Sequence, residues 1–413
     1  MSVSSVLAKP SISSRFLGPF GILGIVAGSH AMTHIYVALM PLIYPLVMKE
    51  FGFNYSQLGL LIGIGTLVGG LMQLAFGYLG RFVLRKTILA AQNVALFLCM
   101  GVMAMTAGYL PFLGTNLGVR LATSPQHPVG NSMVADMFGK KLRGSAMAVN
   151  FAGGNAGAVV VPLIATFLIL SVGWRWTLAI FAIPSILIAI FFTLFIREER
   201  PTDVSGARAT GNPIREALDL LSNRTVLLVF IASSVAAGGR GVSVIMNYVP
   251  LYLRNGLGLD ATYVGWVFTV LMIGSVVGPV IAGRISDKYG RRIVLMVAYI
   301  LATISTSWLT LMTGQSWLLP VVILVIGLAS YAESPLLQTF VADAARRGTR
   351  DLAFGLYFAI VQVAGSIWAS LLGYFVDTQG FAFTFHVMAV SYIVAALLIF
   401  RASEQTDLEA EHY

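Results

Sequence analysis

The chain has 413 residues, of which 57% are hydrophobic and only 10% are charged. Soluble globular proteins carry about 25% charged residues, so this composition excludes an ordinary soluble domain and indicates an integral membrane protein. The single cysteine, Cys99, excludes a disulfide within the chain and a cysteine-rich metal centre.

Twelve apolar runs are long enough to be transmembrane helices, since about 20 residues cross the hydrocarbon. These spans, numbered 1 to 12, lie near residues 20–47, 57–80, 87–108, 112–137, 144–171, 177–196, 225–253, 261–283, 292–313, 317–341, 352–375 and 382–401. A polar interval at 197–224 separates six spans from six. We therefore predict an all-α membrane protein with two six-helix bundles, at 1–196 and 225–413, joined by a cytoplasmic linker.

The positive charges indicate the orientation in the membrane. If both termini are cytoplasmic, 21 of the 26 Lys and Arg residues fall on cytoplasmic segments, three fall on outer loops and two lie inside spans. This bias follows the positive-inside rule. We predict a multi-pass protein of the plasma (inner) membrane with both termini in the cytoplasm. The net charge of +9 then reflects contact with lipid headgroups and requires no nucleic-acid partner.

The two halves of the sequence repeat each other. FGFNYSQLGLL (51–61) matches LGLDATYVGWV (257–267) at a shift of 206 residues, and GYLGRFVLRK (77–86) matches GRISDKYGRR (283–292) at the same shift. VADMFGKKLR (134–143) matches VADAARRGTR at a shift of 207. Parallel repeats of this kind are typical of secondary transporters that bind substrate between the halves.

The loop after span 8 carries the pattern G-x-x-x-D-[RK]-x-G-[RK]-[RK], as Gly283, Asp287, Lys288, Gly290, Arg291 and Arg292. The loop after span 2 keeps Gly77, Arg85 and Lys86 but has Arg81 in place of the aspartate and Leu84 in place of the second glycine. With the twelve spans and the long middle loop, these motifs resemble the major facilitator superfamily over nearly the whole chain.

A shorter similarity, His127-Pro128 and the run PLVMKEFGFNYSQLGLL, is shared with the fosmidomycin-resistance group of exporters. Drug/proton antiporters of the superfamily usually carry an arginine in span 4 where Asn116 aligns here, with Arg120 one turn deeper. The resemblance implies two pseudo-symmetric bundles and a monomeric transporter. We expect no enzymatic activity and no cofactor.

Seven ionisable residues lie well inside spans, where a charge costs about 2.5–3.5 kcal/mol on insertion scales. They are His30, His34, Arg120, His127, Arg240, Glu333 and His386. All but His386 fall on spans 1, 4, 7 and 10, which line the central cavity in the superfamily. We therefore predict that the first six, together with Tyr36, Gln126 and Asn247, contact substrate in that cavity.

These residues favour a proton-coupled transporter of a small organic anion. Arginine offers a planar fork that suits a carboxylate or phosphonate, so we expect Arg120 and Arg240 to bind substrate. Glu333 is the predicted proton carrier, and His34 and His127 titrate near neutral pH and could share that task. Import and export remain equally open.

Three other functions stay open. A multidrug exporter of lipophilic cations would use Glu333 as its proton and cation site, although the buried arginines oppose cations. A transition-metal transporter would use His30 and His34, which share one helix face, but the sequence offers no cysteine and few carboxylates as further ligands, so no metal site is predicted. A sensor with this fold would bind its ligand without transporting it.

Conformational change is predicted to involve cytoplasmic latches between the two rocking bundles. The predicted gate residues are Gly77, Arg81, Arg143, Gly283, Asp287, Arg291 and Asp351. In the superfamily, the aspartate after span 8 faces the start of span 5, which suits Asp287 and Arg143. Its counterpart after span 2 faces the start of span 11, which suits a sign-swapped pair of Arg81 and Asp351.

We predict that Arg81→Asp lowers solute flux up to about fivefold, because exposed ion pairs contribute about 0–1 kcal/mol. Adding Asp351→Arg restores part of the flux, because opposite charges again face each other. Flux into reconstituted vesicles measures both variants. Without any rescue, Arg81 is an ordinary positive-inside residue.

Overall fold

The computed structural model of the chain describes residues 12–14, 16–80, 82–138, 140–198, 220–344 and 350–402. Nearly all of these residues are helical. The strand pairing among them is a two-residue ladder, in which Ile12–Ser13 runs antiparallel to Arg197–Glu198. Most of the predicted linker (199–219) and the predicted gate residue Arg81 lie outside the described residues, as do the side chains of Arg143 and Asp351.

The first half of the chain folds into helices that coincide with its apolar runs. They are α1 (Pro19–Phe51), α2 (Tyr55–Leu79), α3 (Arg85–Ala104), α4 (Tyr109–Thr123), α5 (Asn131–Met137) and α6 (Lys140–Phe195). A π-helical turn at Gln126–Gly130 connects α4 to α5. Pro125 and Pro128 lie at this turn, and a proline has no N–H for the regular hydrogen-bond ladder, so an interruption there is expected.

The helices of the second half also coincide with its apolar runs. Its described helices are α7 (Arg224–Ala236), α8 (Met246–Leu251), α9 (Ala261–Tyr289), α10 (Arg291–Leu309), α11 (Leu318–Ala344) and α12 (Arg350–Phe400). Irregular turns at Ala237–Gly239 and Gly241–Ile245 join α7 to α8, and another, Tyr252–Gly256, follows α8. Side-chain oxygens of Asn223 and Asp260 cap the first N–H groups of α7 and α9.

Nine helical segments of the described residues are long and apolar enough to cross a membrane. Two of them, Ser145–Phe195 and Phe354–Phe400, have 51 and 47 residues, about twice the length of one crossing. Each contains a break at a glycine with φ of 81°, Gly173 or Gly380. The chain is therefore a multi-pass helical membrane protein, and its count of twelve crossings stays a prediction.

Large apolar side chains cover the outside of these helices. On α6, for example, Phe167, Leu194 and Trp176 are 69%, 67% and 66% exposed. An exposed apolar surface of this extent marks a membrane or protein interaction site, and a lipid bilayer covers it at no hydrophobic cost. The composition and the outer surface thus support the same class of protein.

The contacts between described residues form two compact units. The first groups residues of Met1–Leu39 and Val68–Ala209, and the second groups residues of Met40–Leu67 and Thr210–Tyr413. Each unit has its own buried apolar cluster. Leu23, Val26 and Phe192 belong to the cluster of the first unit, and Phe230, Tyr299 and Leu337 to that of the second.

Within the second unit, the start of α2 is capped by a side chain from α12. The carboxylate of Asp377 accepts hydrogen bonds from the backbone N–H groups of Tyr55 (3.1 Å) and Ser56 (2.6 Å) and from the Ser56 hydroxyl (2.5 Å). The first N–H groups of a helix have no partner within the helix. A negative charge at this end interacts favourably with the positive end of the helix dipole. Asp377 therefore stabilises the first turn of α2.

Helices α9 and α11 approach each other at small residues. A Cβ at Gly278 would overlap the backbone oxygen of Leu328, and a Cβ at Gly274 would lie 2.9 Å from the backbone of Gly327. Backbone atoms cannot move aside as the end of a side chain can. Small residues at such positions let transmembrane helices pack closely.

We predict that Gly278→Ala lowers the melting temperature of the purified protein, because the added methyl group separates α9 from α11 at a cost of about 1–3 kcal/mol. Gly101→Ala in α3 is the matched control, since a Cβ there meets nothing within 4 Å. Thermal unfolding in detergent compares the two variants. Equal melting temperatures would show that the packing can relax around the methyl group.

Candidate functional site

Three predicted site residues of the first unit form a histidine cluster: His30, His34 and His127. The ring centroids of His30 lie 4.8 Å from His34 and 5.1 Å from His127, and those of His34 and His127 are 6.3 Å apart. His30 is fully buried, whereas His34 and His127 are half-buried. The cluster thus combines one fully buried ring with two partly accessible ones.

Local backbone geometry brings the three rings together. His30 and His34 are one turn apart on α1, and His127 lies in the π-helical turn at Gln126–Gly130. Nδ1 of His30 is 3.0 Å from the backbone oxygen of Asn150. A carbonyl oxygen only accepts, so Nδ1 of His30 carries the hydrogen and its Nε2 has a free lone pair.

A buried amide network lies next to this cluster. Oε1 of Gln126 accepts hydrogen bonds from the hydroxyl of Ser29 (2.7 Å) and the amide of Gln92 (2.8 Å), and Asn93 donates to Ser29 (2.7 Å). The contact of Gln126 with substrate stays a prediction. Its Oε1 already accepts two hydrogen bonds within the protein. Ser29, Gln92 and Asn93 are not among the predicted site residues, although two adjacent amides in the apolar span 3 are a visible signal.

Arg120 lies on α4 in the first unit. Its side chain is half-buried, and its Nε is buried with no hydrogen-bond partner among the described residues. The guanidinium carbon lies 6.0 Å from the centroid of the Tyr36 ring, and the Tyr36 hydroxyl accepts a hydrogen bond from Asn116 (2.8 Å). Arg120 therefore retains donors that an anion could accept.

Arg240 and Glu333 form a buried ion pair in the second unit. Nε of Arg240 lies 2.6 Å from Oε1 of Glu333, and the two residues are 7% and 0% exposed. Nη2 of Arg240 also donates to the backbone oxygen (3.0 Å) and the hydroxyl (2.9 Å) of Ser233. Oε2 of Glu333 is buried without a hydrogen-bond partner among the described residues. Arg240 is thus committed to protein ligands, while Glu333 keeps one free oxygen.

The backbone leaves the α-helical path at Arg240. The residue has an extended conformation (φ −59°, ψ 132°) between the two irregular turns that join α7 to α8. The glycines around it leave room for aromatic rings: a Cβ at Gly238 would lie 3.0 Å from the Trp368 ring, and one at Gly241 would overlap Tyr331.

A tyrosine completes this unwound segment. The hydroxyl of Tyr392 donates to the backbone oxygen of Gly239 and contacts the hydroxyl of Ser330 (2.8 Å). Discontinuous helices often form the binding sites of transporters. This interruption was not predicted, although the run GGRG at 238–241 is a sequence signal for it.

The remaining predicted residues lie elsewhere. Asn247 donates to the backbone oxygen of Ser243 (2.8 Å), and His386 lies 3.5 Å from the hydroxyl of Thr310. Of the gate residues, a Cβ at Gly77 would contact Pro128 (3.5 Å), a Cβ at Gly283 would meet nothing within 4 Å, and Asp287 is exposed. Arg291 is half-buried at the start of α10. The gate roles stay predictions.

Comparison with known proteins identifies the family. The model of the Major Facilitator Superfamily matches residues 23–260 and 229–411. The fosmidomycin resistance protein of Escherichia coli K12 is 24% identical over 386 residues, which cover 92% of each chain. The cis,cis-muconate transport protein of Acinetobacter baylyi is 21% identical over 393 residues, covering 89% of this chain and 91% of that protein.

A solved structure agrees in fold. A D-xylose–proton symporter matches with a TM-score of 0.78 at 15% identity, covering 93% of this chain and 98% of that one. The family predicted from the loop motifs is confirmed, and so is the expectation that the chain is not an enzyme. The chain belongs to the Major Facilitator Superfamily of membrane transporters.

Proposed function

We propose that this chain is a proton-coupled secondary transporter that moves a small organic anion by alternating access. In this proposal, twelve spans form two six-helix halves, 1–196 and 225–413, which rock about a central path. The breaks at Gly173 and Gly380 support twelve spans, because each lies where the sequence separates two of them. The protein acts as a monomer in the inner membrane. Both termini are cytoplasmic, an orientation that the distribution of its lysines and arginines favours.

The observation that carries this proposal is the buried ion pair of Arg240 and Glu333. A carboxylate in a low-dielectric interior must be neutralised, either by a cation or by a proton. If Glu333 binds a proton at its free Oε2, its attraction to Arg240 weakens, and the unwound segment around Arg240 can rearrange. Protonation and conformation are then coupled through one carboxylate.

Arg120 is the proposed anion ligand. Arg240 already binds Glu333 and Ser233, whereas the buried Nε of Arg120 has no partner among the described residues. A carboxylate or phosphonate would provide the acceptors that this guanidinium lacks. The sequence suggested that both arginines bind substrate. These contacts instead support a proposal in which Arg120 binds the anion and Arg240 binds Glu333.

The names of two relatives support the anionic class of substrate. One is a cis,cis-muconate transport protein and the other a fosmidomycin resistance protein. Muconate is a dicarboxylate and fosmidomycin is a phosphonate, so both are anions that an arginine fork accommodates.

Proton flux tests the class of substrate. In vesicles loaded with a pH-sensitive dye, organic anions trigger proton flux in the wild type. Arg120→Ala lowers this flux about tenfold or more, because a hydrogen bond to a charged group contributes about 1.5–3 kcal/mol. Arg120→Lys, the matched control for charge, recovers part of the flux without the fork. Flux triggered only by lipophilic cations would instead support the multidrug exporter.

Substitution of Glu333 tests the role of the ion pair. Glu333→Gln removes pH-dependent flux and destabilises the fold by about 3–5 kcal/mol, because it leaves the buried charge of Arg240 unpaired. The double variant Arg240→Gln/Glu333→Gln is more stable than the single one, since no charge remains. Thermal unfolding compares the three proteins. If Glu333→Gln folds and keeps pH-dependent flux, Glu333 is not the proton carrier.

A further inference from the structure

The histidine cluster has no part in the anion and proton steps proposed for Arg120 and Glu333. We propose that His30, His34 and His127 form a binding site for a divalent transition-metal ion of the zinc class. This role replaces the proton transfer suggested by the sequence for His34 and His127. In the sequence, the lack of further ligands beside His30 and His34 argued against a metal site. The structure adds His127 to this pair as a third ligand.

The spacing of the nitrogen atoms fits a metal after a small adjustment. One ring nitrogen from each histidine can be chosen so that the three atoms lie within 4.8 Å of one another. Zinc binds imidazole nitrogen at about 2.0–2.1 Å, so two ligands of a tetrahedral site are about 3.4 Å apart. The largest separation must therefore shrink by about 1.4 Å, which rotations of the half-buried His34 and His127 can provide.

His30 is already in the state that a metal requires. Its Nδ1 hydrogen is donated to the backbone oxygen of Asn150 at 3.0 Å, which leaves Nε2 as the free ligand atom. This Nε2 is buried and has no hydrogen-bond partner among the described residues. Metal-binding histidines almost always donate their second ring nitrogen in this way, because the bond fixes the tautomer and the ring orientation.

The surroundings hold the ring of His30 in place. A Cβ at Gly154 would lie 3.2 Å from three atoms of this ring, so the glycine provides a flat surface on α6 against which the ring packs. The ring of Phe151 contacts it from the same helix, with centroids 5.6 Å apart. A fixed first ligand reduces the entropy that metal binding would otherwise cost.

The ligand types select the class of metal. Imidazole suits zinc, copper, nickel and cobalt, whereas magnesium and calcium prefer oxygen ligands, which the cluster does not contain. Three histidines leave the fourth tetrahedral position open, as in catalytic zinc sites. Water or an anionic oxygen would be the fourth ligand at this position.

Cobalt binding tests the site. Co²⁺ is titrated into the full-length, tag-free protein in detergent, and the visible absorption that tetrahedral Co²⁺ gains from nitrogen ligands is recorded, followed by displacement with Zn²⁺. We expect one ion per chain. His30→Gln and His127→Gln weaken binding at least about tenfold, since even loss of a supporting hydrogen bond costs 10–100-fold. His386→Gln, outside the cluster, is the matched control and binds as the wild type does.

A second readout separates loss of the site from loss of the fold. Zn²⁺ raises the melting temperature of the wild type and of His386→Gln, because the metal binds only the folded state. His34→Gln and His127→Gln alter half-buried residues, and we expect them to fold and to show no such rise. No saturable Co²⁺ binding by the wild type, or wild-type affinity in folded His34→Gln and His127→Gln, would overturn the proposal.

Discussion

The ion pair between Arg240 and Glu333 is the interaction around which the second unit is arranged. Two opposite charges in a membrane interior offset their loss of hydration only if their remaining hydrogen-bonding groups are also satisfied. Ser233 satisfies Nη2 of Arg240, whereas Oε2 of Glu333 is left without a hydrogen-bond partner among the described residues. The backbone between α7 and α8 leaves the regular helix at Arg240, and aromatic rings pack against the glycines beside it.

The buried cluster of the first unit is built from groups that can be neutral. Histidines and amides need no counter-ion when they are buried, only hydrogen-bond partners. Asn150 and Ser29 supply some of these partners, while Nε2 of His30 has none among the described residues. His34 and Arg240 are 206 residues apart, which is the shift that relates residues 51–61 to residues 257–267. At this pair of positions, one half of the chain carries a titratable ring and the other a permanent cation.

The sequence predicts the helices well, because hydrocarbon imposes a simple rule of length and polarity on every span. It also identifies candidate functional residues inside the spans, because ionisable residues are rare there. It does not predict which partner each residue takes. The approach of His127 to His30 depends on the π-helical turn at Gln126–Gly130, and a proline indicates only that some interruption occurs.

The same limit applies to Arg240. Its depth in span 7 is readable from the sequence, and its equivalence to His34 is readable from the repeat. Its commitment to Glu333 and Ser233 requires the unwound backbone, which moves the guanidinium away from the direction that a regular helix would give it. Secondary structure was therefore predictable from local composition, whereas side-chain pairing was decided by tertiary packing.

The cap that Asp377 places on α2 links this fold to the order of its synthesis. The capped residues precede Asp377 by about 320 positions, which a ribosome translates in about 15–65 s at 5–20 residues per second. During that interval, the N–H groups of Tyr55 and Ser56 lack this acceptor, whereas Oδ1 of Asn54 accepts a hydrogen bond from the N–H of Gln57 within the same turn. The cap on an early helix can therefore form only after nearly the whole chain has been synthesised.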